Sequence, residues 1–148
     1  MKTLFKNKPG FTLTEVLLGI LSIVILVALA VLAIDPGKML GDTRNAERKS
    51  NVNLILSVVS QYNAENKKTQ IAIPEKSTEI CKTGATSCSG LIDLTALTTS
   101  GKYLKSIPVD PLGSSGNGTG YFISKSVDGH TTVFAPHAEQ DMLITATR

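Results

Sequence analysis

The sequence has 148 residues, of which 42% are hydrophobic and 18% are charged. That length fits one compact domain, or a smaller domain joined to a membrane anchor. The net charge of +3 comes from three lysines in the first ten residues, because the remainder carries equal numbers of basic and acidic residues. This balance excludes a broadly basic surface of the kind that binds nucleic acid.

A long apolar segment follows the lysines. From Val16 to Ile34 only Gly19 and Ser22 are not aliphatic. In a helix such a run is about 30 Å long, which matches the hydrocarbon core of a bilayer. We therefore predict a hydrophobic helix over residues 11–35 that crosses the cytoplasmic membrane once, with the N-terminal lysines inside. An ordinary soluble domain is excluded.

Glu15 lies at the start of this helix, where a carboxylate enters lipid at a cost. Thr12 and Glu15 match the capping-box pattern, which is one explanation for the acid. The other is a positive charge supplied by a second chain, because an unpaired buried carboxylate is strongly unfavourable.

Residues 8–18, Lys-Pro-Gly-Phe-Thr-Leu-Thr-Glu-Val-Leu-Leu, resemble the type IV prepilin signature. In that family a basic leader ends in Gly and is followed by Phe, by Glu at the fifth position and by an aliphatic helix. The resemblance implies that a prepilin peptidase removes residues 1–10 by cutting between Gly10 and Phe11, and that Phe11 is then N-methylated. It also implies that Glu15 pairs with the Phe11 amine of a neighbouring subunit during assembly.

The next element is a second helix. Asp35 before Pro36 is typical of an N-cap followed by Pro at the first helical position. Residues 36–66 are amphipathic, with apolar side chains at helical spacing at Val52, Ile55, Leu56, Val59 and Tyr62. We predict one long helix, kinked near Pro36, whose second half packs on a head that extends over residues 36–148.

The same stretch contains a basic cluster of Arg44, Arg48 and Lys49, which is balanced by Asp42 and Glu47. Mixed charges of this kind predict a solvated helix face.

Residues 67–90 are polar and predict a loop with one short strand over residues 70–73. Cys81 and Cys88 fall in this loop. Two cysteines without a nearby His give too few ligands for zinc, and their spacing excludes a CxxC redox pair. In a segment exported across a membrane, a disulfide is the expected state.

The C-terminal part predicts a short helix near residues 91–101 and then an antiparallel sheet over residues 121–147. The three predicted strands are 121–125, 131–135 and 142–147, the first two joined by a turn at Asp128-Gly129. The predicted fold class is therefore α+β, a long N-terminal helix packed on a small antiparallel sheet.

No catalytic site, metal or cofactor is predicted. His130 and His137 belong to no paired catalytic motif. Residues 103–113 resemble part of the major pseudopilin of type II secretion, a family in which calcium binds the C-terminal loops. Asp110, Asp128 and Asp141 could supply oxygen ligands, but they lack EF-hand spacing.

The resemblance thus implies a structural subunit of a type IV pilus-like extracellular filament, not an enzyme. The implied partners are further copies of the chain, the prepilin peptidase and methyltransferase, and an inner-membrane assembly platform. The chain would lie in the cytoplasmic membrane before assembly and on the cell surface afterwards.

Two alternatives remain open. One is a pseudopilin of a type II secretion or DNA-uptake machine, confined to the periplasm. The other, from a different class, is a single-pass membrane-anchored binding module that keeps its N-terminus.

Overall fold

The computed structural model describes residues 10–33, 35–99, 101–114 and 116–148. The chain divides into two units, Met1–Pro36 and Gly37–Arg148. The predicted leader over residues 1–10 lies outside the described residues except for Gly10.

The described residues of the first unit form the helix α1, over Leu13–Ala33. Thr12 caps its first turn, because its backbone carbonyl accepts hydrogen bonds from the N–H groups of Glu15 and Val16 at 3.1 and 3.2 Å. The Glu15 N–H also lies 3.3 Å from Thr12 Oγ1. The Glu15 N–H is one of the first-turn donors that lack an ordinary intrahelical partner, and Thr12 satisfies it.

The second helix, α2, extends over Pro36–Glu65 and is followed by a four-stranded antiparallel sheet. Pro36 is its first residue, where the missing N–H costs nothing. The strands are β1 Thr78–Cys81, β2 Gly118–Lys125, β3 Thr131–Ala135 and β4 Ile144–Thr147, adjacent in that order. A single 3-10 turn over Thr95–Leu97 lies where the sequence predicts a short helix.

The head has one hydrophobic core between α2 and the sheet. The predicted apolar stripe of α2 faces this core: Val52, Ile55, Leu56 and Val59 are at most 6% exposed, and Tyr62 packs at its border. The sheet contributes six buried hydrophobic side chains to this core, Ile80, Tyr121, Ile123, Val133, Ala135 and Ile144. The α+β architecture of the head is therefore as predicted.

The strand predicted over residues 70–73 is wrong. The N–H of Ile71 donates to Asn63 Oδ1 at 2.8 Å, so this segment bonds to the end of α2 and not to the sheet. The first strand lies at Thr78–Cys81, where Ile80 and Cys81 are buried and where Thr78, Glu79 and Cys81 pair with β2.

Candidate functional site

The most unusual surface of the chain is that of α1. Its large apolar side chains between Val16 and Leu32 are 50–82% exposed. The stretch Leu13–Leu32 is long and apolar enough to cross a membrane, and none of it is buried within the chain. Exposed apolar area of this extent marks contact with a membrane or with other polypeptides. It lies where the sequence predicts the membrane-spanning segment.

Polar groups within α1 are few. The hydroxyl of Ser22 donates to the Gly19 carbonyl at 2.7 Å, so it is satisfied inside the helix. Glu15 is the acidic residue of the first turn. Its carboxylate meets no hydrogen-bonding or ion-pairing partner among the described residues, and the reciprocal half of a capping box is not formed.

The predicted processing residues precede this helix. Gly10 and Phe11 are exposed, Phe11 by 82%, and a Cβ built on Gly10 would meet no atom within 4 Å. Both residues and Glu15 therefore lie within the first turn of α1 or just before it, open to an external partner.

Cys81 and Cys88 form a disulfide with a Cα–Cα distance of 5.6 Å. The bond joins the end of β1 to the loop that follows. That loop is also held by Asn117, whose Oδ1 accepts hydrogen bonds from the N–H and hydroxyl of Thr86 at 3.2 and 3.0 Å. The disulfide thus stabilises the link between β1 and the loop that follows it.

A buried charge network connects α2 to the C-terminal half of the head. Arg48 is fully buried, and its guanidinium bonds to both carboxylate oxygens of Asp110 at 2.8 and 3.0 Å. Arg48 Nη1 also donates to Glu139 Oε2 at 2.9 Å. Glu139 accepts two further bonds from Arg44 at 2.7 and 2.5 Å. The prediction that Arg48 belongs to a solvated face is therefore wrong.

The network shifts the titration of its members. Hydrogen bonds from Arg44 and then Arg48 lower the pKa of Glu139 to about 2. The hydrogen bond to Asp110 raises the pKa of Arg48 above its ordinary value against the cost of its burial. Arg48 and Glu139 thus both stay charged at neutral pH.

A second charged cluster lies where α2 ends. Glu65 accepts hydrogen bonds from Lys102 Nζ and from the Tyr103 hydroxyl, each at 2.6 Å. These bonds lower the pKa of Glu65 to about 2. The Tyr103 ring also meets Tyr62 edge to face at 5.3 Å between centroids. The cluster fixes the end of α2 to the loop after the 3-10 turn.

Asp110, Asp128 and Asp141 do not come together as a cation site. Asp110 is occupied by Arg48, and the residues that the structure describes contain no group of three or more His, Cys, Asp or Glu that could hold a metal. His130 and His137 are exposed.

Sequence reasoning missed Arg48 and Asp110 as partners. Their 62-residue separation carries no periodic signal. The sequence holds one local signal, the turn-forming pair Asp110-Pro111. The structure adds that Gly120, with φ +81°, lies so close that a Cβ there would be 2.8 Å from that of Asp110.

No family model, curated protein or solved structure matches the chain.

Proposed function

We propose that this chain is a subunit of a type IV pilus-like filament, made as a membrane-anchored precursor and polymerised through α1. The observation that carries the proposal is the uncovered apolar surface of α1 with one carboxylate in its first turn. The sequence around it, Lys8 to Leu18, resembles the prepilin signature.

The physical logic has two stages. In the precursor, lipid covers the apolar side chains of α1, and the lysines before it stay on the cytoplasmic side. In a filament outside the membrane the same surface must be covered by other copies of α1, since apolar area of this size is unfavourable in water. The proposed filament is therefore held together by the burial of the segment that first anchors the precursor.

Glu15 would set the register of this packing. Cleavage after Gly10 frees the α-amino group of Phe11, and such a group has an ordinary pKa of about 8, so it is positive at neutral pH. Between packed apolar helices an unpaired carboxylate is strongly unfavourable. An amine from a neighbouring copy supplies the charge that the described part of the chain does not offer Glu15.

The proposed arrangement continues α1 into α2 as one kinked helix, with the head on its second half. In support of it, two residues, 34 and 35, separate the two helices along the chain. A pseudopilin shares this chemistry and differs in the place and length of its fibre. Electron microscopy of long surface fibres favours the pilus, and a secretion defect without such fibres favours the pseudopilus.

The processing step is tested with Gly10→Arg, which places a large side chain at the proposed cleavage site. We expect intact-mass measurement to find Phe11 at the N-terminus of the unaltered protein and an uncleaved, unassembled precursor for the variant. Gly116→Arg is the matched control, because Gly116 is exposed in a loop of the head and a Cβ there meets no atom within 4 Å. Normal filaments from Gly10→Arg, or Met1 retained in the working protein, would contradict the proposal and favour the uncleaved anchor.

The role of Glu15 is tested against Thr12. Thr12→Ala removes the hydroxyl that accepts from the Glu15 N–H and weakens the cap alone. Glu15→Ala removes the charge. If Glu15 pairs with a neighbouring amine, both variants insert normally in the membrane, but Glu15→Ala alone fails to assemble. Equal filament yields from the two variants would mean that Glu15 caps the helix and does not pair with a neighbouring amine.

A further inference from the structure

Strand β4 forms an unprotected edge of the sheet. At the opposite edge β1 is covered, because the Cys81 N–H donates to the Ile92 carbonyl and the Ile92 N–H donates to the Glu79 carbonyl, each at 2.9 Å. Within the part of the chain that the structure describes, β4 pairs in the sheet with β3 alone. Residues 144–147, Ile-Thr-Ala-Thr, carry neither charge nor Pro, the features with which natural edge strands avoid pairing, and the charged Arg148 follows them.

The free edge presents four backbone groups. Arg148 and Thr131 exchange two backbone hydrogen bonds, of 2.8 and 2.9 Å, and so form a narrow antiparallel pair. Because such pairs alternate along a ladder, Ala146 directs its N–H and C=O toward β3. Those of Thr145 and Thr147 therefore point to the open side.

A groove lies beside this edge, between β4 and α2. One part, of about 430 Å³, is lined by residues 142–145 of the β4 side and by Asp42 and Lys49 of α2. A second part, of about 310 Å³, is lined by residues 146–148 and by Ser57. Asn53 borders both. Small and polar residues of α2 thus leave the edge open along its length.

We infer that β4 pairs antiparallel with β4 of a second copy of this chain, which joins two four-stranded sheets into one of eight strands. A register centred on Ala146 uses every free group of the strand. In this register Thr145 of each copy lies opposite Thr147 of the other. The two pairs form four backbone hydrogen bonds, and their side chains meet on the face of the sheet that points away from α2. Ala146 then lies opposite Ala146 of the second copy. The two small side chains fit the close spacing of a non-hydrogen-bonded pair.

Charge complementarity supports the same register. This register places Arg148 of the second copy opposite Ile144, on the side of the sheet that faces α2. The groove beside Ile144 is lined by Asp42. Asp42 and Arg148 are both exposed, and neither side chain makes an ion pair within the described part of the chain. Lys49 lines the same groove, so the pair acts beside one further cation.

The symmetry of this contact determines which chains it can join. This step rests on the proposed function. The two-fold axis between antiparallel edge strands is normal to the sheet, and α2 packs on the sheet face. Pairing therefore places the two α2 helices antiparallel. Neighbours in one polar fibre run in the same direction, so the contact joins chains of different fibres, and assembly of a single fibre does not require it.

The test is a site-specific cross-link in the full chain in detergent micelles, with the native disulfide left oxidised. Ala146→Cys places two thiols at the two-fold axis, where the Cα separation of about 4.5 Å permits a disulfide. We expect Ala146→Cys to give a covalent dimer under mild oxidation. Val127→Cys is the control: Val127 is 88% exposed, so random collision would cross-link it at least as well.

Two further variants identify the contact. Thr145→Pro removes an edge N–H without breaking the ladder to β3. Combined with Ala146→Cys, it should abolish the cross-link at residue 146 and leave the fibre yield unchanged. Asp42→Arg and Arg148→Asp each weaken dimerisation by about fivefold, as expected for an exposed ion pair, and their combination restores it.

Equal cross-linking of Ala146→Cys and Val127→Cys overturns the pairing, as does a dimer that survives Thr145→Pro. Slow hydrogen exchange at Thr145 and Thr147 in fibres, without a cross-link at 146, would mean that another segment covers the edge, and it also overturns the proposal. Because the cross-link is measured in micelles, its failure leaves the filament assignment intact.

Discussion

Arg48 stabilises the head only while its carboxylate partners remain. A buried ion pair loses much of its attraction to the cost of dehydrating both charges. Here the geometry offsets part of that cost, because Asp110 accepts two bonds from Arg48 and Asn45 Oδ1 accepts another at 2.9 Å. No buried polar side-chain atom among the described residues lacks a hydrogen-bond partner.

We expect Asp110→Asn to lower the free energy of unfolding by about 3 kcal/mol, because the buried Arg48 guanidinium loses one of its two carboxylate partners and keeps Glu139. The combination of Arg48→Met with Asp110→Leu should recover most of this loss, since it removes both charges. Denaturant unfolding of the purified chain measures both. Asp128→Asn, in the exposed turn after β2, is the control and should change stability by no more than about 0.5 kcal/mol. A double variant no better than Asp110→Asn would show that the pair itself is net stabilising.

Glu139 makes the stability of the head depend on acid. Its ordinary pKa of 4.5 is lowered to about 2 by the hydrogen bonds from Arg44 and Arg48. The folded state therefore holds the carboxylate charged at pH values where the unfolded state protonates it. Its contribution to stability is complete above pH 4.5 and is lost as the pH falls from 4.5 toward 2.

We expect Glu139→Gln to reduce stability at neutral pH and to flatten the decline between pH 4.5 and 2. Thermal midpoints across this range test the prediction. Glu65 also has a pKa of about 2, so some decline persists in the variant. The control is Glu47→Gln, which removes one carboxylate from an exposed face of α2. A Glu139→Gln profile parallel to that of the unaltered chain would be inconsistent with this assignment.

At the level of elements, β1 depends on the disulfide more than the other strands do. It has four residues, its register shifts between Glu79 and Cys81, and its last residue is bonded to Cys88. The loop that the bond closes is short, so it restricts the unfolded chain only moderately.

Replacement of Cys81 and Cys88 by Ala should cost about 2–3 kcal/mol on the loop-closure relation for eight residues. We expect the loss to appear first as faster hydrogen exchange at Ile80 and Ile92, the residues of the parallel bridge. Exchange at Val133, in the centre of the sheet, is the internal control and should change only with global stability. Uniform acceleration at all three residues would mean that β1 does not open separately.

Sequence patterns predicted the elements whose cause is local. The start of α2 at Pro36, its buried stripe from Val52 to Val59 and the hairpin around Gly129 follow from capping, helical spacing and turn chemistry. The Gly129 N–H donates to the Ser126 carbonyl at 2.9 Å, and its φ of +89° is one that Gly adopts readily.

The elements that sequence reasoning misplaced have distant causes. Residues 70–73 alternate like a strand, yet Asn63 takes the Ile71 N–H. β1 is a strand because β2, some 40 residues later, supplies its partner. Arg48 is buried because Asp110 and Glu139 come from two separate loops. Glu15 differs again, since its proposed partner belongs to another chain.

At the scale of the whole molecule, the two units suit different surroundings. Among the described residues, the head encloses a core cluster of sixteen hydrophobic side chains, which all lie between Val52 and Ile144. α1 contributes none of them and exposes its apolar side chains instead. Folding of the head and covering of α1 are therefore separate events, which a subunit that moves from lipid into a filament would need.

This separation predicts that a chain starting at Gly37 folds without α1. We expect it to dissolve without detergent and to unfold cooperatively, with a near-native circular dichroism signal, because every core residue is retained. The Gln140 side chain, which donates to the Lys38 carbonyl at 2.9 Å, should hold the shortened start of α2. The matched comparison is the full chain, which should aggregate once detergent is removed, since α1 then has no cover. A truncated chain that stays unfolded would show that α1 takes part in folding the head.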